Sequence, residues 1–138
     1  MATSLTNTSV NYSHFGRREE ALAASEEAVG IYLTLAGDRP DAFVPALAVS
    51  TWVRGDVLRA LDRRDEAISD YSEALRLLRG PFLAMPQAHA ERIAKFVRDY
   101  VSLAAELSRE PDADLLGPIV AKLNEIGVPL AEGGTGSD

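Results

Sequence analysis

At 138 residues, with 46% apolar and 7% aromatic side chains, the chain has the size of one domain and an ordinary apolar content. Its net charge of −7 excludes a general nucleic-acid binder, which needs a basic face for phosphates. The lack of cysteine excludes disulfides and thiolate metal sites, and no apolar run reaches the roughly 18 residues that a membrane span requires.

The chain opens without a basic segment followed by an apolar one, so no secretory leader is expected and the cytoplasm is the default location. A first helix is predicted over about 4–15, capped by Thr3 or Ser4 and ended by Gly16. The second spans about 18–36, with Leu22, Val29, Leu33 and Ala36 near helical spacing, and Gly37-Asp38-Arg39-Pro40 breaks it. The third runs over about 41–61, with Pro45 in its first turn, where a missing N–H costs little. A fourth is expected over about 65–78, stopped by Gly80-Pro81. The fifth covers about 86–107. The sixth covers about 112–126 and carries Leu115, Leu116, Ile119, Leu123 and Ile126. No hairpin dipeptide sits between alternating apolar runs, so strands are not expected. Residues 131–138, polar and glycine-rich, are expected to form a disordered tail.

Segments along this chain recur at a spacing of 46 residues. Gly16-Arg17-Arg18-Glu19-Glu20-Ala21 returns as Asp62-Arg63-Arg64-Asp65-Glu66-Ala67, and in a degraded form as Ser108-Arg109-Glu110-Pro111-Asp112-Ala113. Pro40 and Pro86, Ala42 and Ala88, Leu47 and Ile93, Ala48 and Ala94, and Val57 and Leu103 keep the same spacing. A fixed period of this size predicts a stack of helix-turn-helix units, each too small to bury its apolar face alone. The repeats fall at about 3–38, 41–80 and 86–127, within one domain over 1–130.

Within the second repeat, Gly55-x-x-Leu58 lies on the first helix, Asp65-Glu66-Ala67 opens the second, and Tyr71-x-x-Ala74-Leu75 follows. This pattern resembles the tetratricopeptide repeat. A period of 46 in place of that family's usual 34 is similar to the long, kinesin-light-chain-type variant of bacterial arrays. A bacterial source also fits twelve arginines against two lysines. The resemblance implies an all-α, right-handed solenoid of six helices. Gly55 and Ala67 would let paired helices touch, Tyr71 would fill the space to the next repeat, and Ala74 would admit the following helix. Thr51 and Arg54 depart from the family pattern, and Trp52 could take up part of that packing. A HEAT or armadillo array, with a period of 40–47, is the rival reading.

Signals for chemistry are weak. His14 and His89 are 75 residues apart, not a multiple of the period, and neither has a metal-ligand companion at suitable spacing. The carboxylate pairs Glu19-Glu20, Asp65-Glu66 and Asp112/Asp114 open helices, where negative charge meets the positive helix end. No phosphate-cradling loop or nucleophile elbow is present. An enzyme is not expected, nor a cofactor.

What the resemblance implies is a binding groove lined by the first helix of each repeat. Its candidates are Thr6, Asn7, Val10 and Ser13, then Val49, Trp52, Val53, Asp56 and Arg59, then Lys95, Arg98, Asp99 and Ser102. Asn7 would bond a peptide backbone, and Trp52 would be an aromatic anchor. Arg59, Lys95 and Arg98 would face an acidic segment. The expected function is a non-catalytic adaptor for a protein or peptide, without nucleic-acid or membrane partners. The alternative is a structural or regulatory module of a larger protein, self-pairing through its shortened first repeat.

Overall fold

The computed structural model describes residues 17–130. Within them the chain is all-α, with five helices and no strand. They are α1 (Arg18–Asp38), α2 (Pro40–Ala60), α3 (Arg64–Ala84), α4 (Pro86–Glu106) and α5 (Ala113–Glu125). The helix predicted over 4–15 and the tail over 131–138 lie outside the described residues.

The 46-residue period is visible in the backbone. Shifting α1 by 46 gives the bounds of α3, and shifting α2 gives those of α4; all four helices are 21 residues long. The joins obey the same shift. Arg39 and Met85 are each a single non-helical residue between two helices, at φ −136° and −135°. Both precede proline, whose ring crowds the preceding residue out of the helical region. The opposite joins pivot on Asp62 and Ser108, with φ of 64° and 57°. At each, a helix-end carbonyl (Leu58, Ala104) accepts from the N–H five residues on, at 2.9 and 2.8 Å. This is a Schellman turn, and its left-handed residue is normally glycine.

Three expectations need correction. Pro45 lies not in a first turn but inside α2, which begins at Pro40, so its missing N–H leaves the Asp41 carbonyl without its helical donor. Gly80-Pro81 does not stop the fourth helix; α3 continues to Ala84. Proline removes one hydrogen bond, to the Leu77 carbonyl, but Gly80 has no Cβ to meet the proline ring. Continuing the helix carries Phe82 into the core, where it is fully buried. Burial of a phenylalanine, at about 1.5–3 kcal/mol, offsets most of the proline penalty. The break at 37–40 likewise shrinks to Arg39 alone.

Each of α1 to α4 packs on its chain neighbours, and α5 rests against both α3 and α4. α3 is therefore central, and Tyr71, Leu75, Leu78 and Phe82 make it the spine of the core. Gly55 permits the closest approach: a Cβ there would lie 2.8 Å from the Tyr71 ring.

Candidate functional site

α2 and α4 lie on either side of α3, and their facing side chains form one surface. Trp52 stacks on Phe96, with ring centroids 5.4 Å apart. Its indole N–H donates to Asp99 Oδ2 at 2.8 Å. Two turns further along each helix, the Arg59 guanidinium donates to Glu106. Both polar links join residue i of α2 to residue i+47 of α4. The two helices thus run in the same direction, bridged by long side chains. Lys95 Nζ stands 5.2 Å from the Trp52 ring centroid and 3.5 Å from Asp99 Oδ2.

The expected surface is thereby assembled in part. Trp52, Asp56, Arg59, Lys95, Asp99 and Ser102 come together, and Ser102 accepts a long contact of 3.5 Å from Arg59. Val49 is half-buried beside them, whereas Val53 is buried in the core. Thr6, Asn7, Val10 and Ser13 lie outside the described residues. Two of the three cations have ion-pair partners within the chain. Arg59 is engaged by Glu106 and Lys95 by Asp99. Arg98, half-exposed, forms no ion pair among the described residues.

At the same surface a polar link ties α2 to α3. The Tyr71 hydroxyl donates to Asp56 Oδ1. Loss of water around the Asp56 carboxyl raises its pKa, with the Tyr71 hydrogen bond opposing and the Asp99 charge adding to the rise. Burial, then the Asp56 contact, pushes the Tyr71 hydroxyl upward, so it stays protonated and donates. Desolvation works against the Arg59 cation, but its hydrogen bonds to Glu106 and Tyr71 prevail, and its pKa is raised.

Sequence reasoning missed a second α2–α3 link. Arg54, a departure from the family pattern, donates through Nε and Nη2 to both Asp70 oxygens at 2.8 Å. The carboxylate is nearly buried, and its hydrogen bond raises the Arg54 pKa. A fork-to-fork pair is the geometry that lets a buried carboxylate remain charged. The available signal was the pairing of two misfits, an arginine and an aspartate at apolar-face positions of consecutive helices. Arg54, Asp70, Glu26, Asp65 and Glu66 also border an acidic recess of about 330 Å³. No group of three or more His, Cys, Asp or Glu side chains among the described residues is arranged to hold a metal ion. No helix among them is long and apolar enough to cross a membrane.

No protein-family model, curated protein or solved structure matches the chain.

Proposed function

We propose that this chain is a non-catalytic adaptor of the tetratricopeptide type, its hairpins stacked as a right-handed solenoid, and that it binds a protein segment across the α2–α4 surface. The observation that supports this reading is the 46-residue recurrence of helix bounds and turns, which sets α2 and α4 side by side in one direction. Repeated hairpins create an extended surface rather than a closed pocket, and such surfaces recognise chains. Of the three candidate cations, Arg98 is the one without an ion pair among the described residues, and its helix neighbour Asp99 holds the Trp52 indole. Affinity capture with the wild-type chain and with Arg98→Glu tests the idea. A protein retained by the wild type and lost by the variant, at equal helicity, supports it; equal retention overturns it.

Exposed apolar side chains on α1 favour a second reading, self-association. Ile31, Leu33 and Leu35 reach solvent, Leu33 with 60% of its surface. A sedimentation coefficient that rises with concentration would support a dimer through α1. A monomer at all concentrations would remove this reading.

A further inference from the structure

Away from the α2–α4 surface, a groove of about 550 Å³ opens where the first turns of α2 and α4 meet the last turn of α3. Its walls are Val44, Pro45, Pro81, Ala84 and Met85, with His89 at one end. Met85 is 63% exposed, and its neighbour Leu83 is also open to solvent. A flexible thioether in the open is a feature of adaptable binding surfaces.

The repeat itself shows what fills such a seam. One period earlier, the position of His89 is held by Phe43 and that of Leu78 by Tyr32. Those two rings meet at 6.5 Å, joining α2 to α1. At the later seam Leu78 is fully buried and His89 stands where the phenylalanine would be. α3 supplies one ring of its own, Phe82 in the place of Ala36, which is fully buried in the core, while the apolar walls of Val44, Pro45, Pro81 and Ala84 border space that is left open.

Charge defines the rest of the occupant. Asp41 supplies the one carboxylate among the described lining residues. Pro45 has no N–H, so the Asp41 carbonyl lacks its partner one turn on. The groove offers acceptors and negative charge, on a chain of net charge −7. We propose that it receives the aromatic side chain of a partner peptide, with an adjacent basic residue paired to Asp41.

Three heptapeptide probes test this against the full-length chain labelled with nitrogen-15. The first is acetyl-Gly-Ser-Lys-Phe-Leu-Ser-Gly-amide; the second has Ala for Phe, and the third has Glu for Lys. The first should shift amides over 41–45 and 80–89. The second should bind at least tenfold more weakly, and the third several-fold more weakly. His89→Phe should close the groove and weaken the first probe at least tenfold. Met85→Glu, at an exposed position, should do the same should the former variant fail to fold. Equal affinity for all three probes, no binding at millimolar concentration, or an unchanged response in both variants overturns the proposal. So do shifts confined to Trp52 and Arg98, which would assign the peptide to the α2–α4 surface. Shifts over 80–89 on concentrating the chain without peptide would assign the groove to a second copy, and overturn it too.

Discussion

Gly55 and Asp56 are neighbours that answer to opposite constraints. At Gly55 the limit is space. A methyl group there would come within 2.9 Å of two Tyr71 ring carbons, and that ring is fully buried and cannot swing aside. Overpacking costs about 1–3 kcal/mol, while alanine regains up to about 1 kcal/mol of helix propensity over glycine. Gly55→Ala should therefore lose stability by about 1–2 kcal/mol net, read as a lower urea midpoint. At Asp56 the limit is charge. Its folded pKa lies above the ordinary 3.8, so the ionised form is penalised in the fold. That penalty is fully present above the folded pKa and vanishes below the unfolded one. Asp56→Asn keeps an acceptor for the Tyr71 hydroxyl and removes the penalty. It should raise the thermal midpoint at pH 7, with a gain that shrinks as pH falls toward 4. A gain independent of pH would contradict the desolvation account.

The helix ends carry their own chemistry. Ser108 occupies the left-handed position of a Schellman turn at φ 57°, a conformation that costs a residue with a Cβ about 1–2 kcal/mol. Glycine escapes that cost but loses more entropy on folding. Ser108→Gly should stabilise the chain by roughly 0.5–1 kcal/mol, as a rise in denaturation midpoint. Within α5, Pro118 denies the Asp114 carbonyl its donor one turn on. Arg79 of α3 reaches across with Nη1 at 3.4 Å from the Asp114 and Leu115 carbonyls. The two residues should be coupled. Arg79→Ala should cost about 1 kcal/mol in the wild type and clearly less beside Pro118→Ala. Equal costs in a double-mutant cycle would show that Arg79 does not replace the missing donor. The N-terminus of α5 is secured separately: the Asp112 carboxylate accepts from the amides of Asp114 and Leu115 at 3.0 and 3.2 Å.

Across the molecule, burial is uneven. α3 packs against α2, α4 and α5, while α5 is the shortest helix at 13 residues. Arrays in which each unit touches only its neighbours open piecewise, weakest contacts first. Amide hydrogen exchange should be slowest in α3, around Tyr71–Leu78, and fastest among the five helices in α5. Uniform protection would indicate all-or-none opening. The cross-helix pairs Trp52–Asp99 and Arg59–Glu106 tie α2 to α4 on one face, so exchange in these two helices should rise together.

Helix number and position over 17–130 were legible because apolar spacing and proline placement act within a few residues. Helix ends followed less well: at Gly80-Pro81 the local rule predicted a stop, and burial of Phe82 carried α3 onward. The candidate surface was legible as a set of positions, since one period maps α2 onto α4, and Trp52 and Asp99 do meet. Its electrostatics were not. That Arg59 holds Glu106 was not foreseen, because a side chain's partner depends on which helix lies opposite and in which register. The sequence by itself determined the period, the helices and the places where the chain turns, all set by short-range sterics and apolar patterning. Only the tertiary structure decided which charges are spent within the fold, that Arg54 and Asp70 pair, and that the seam beside His89 stays open, because those depend on distances between helices that no local rule contains.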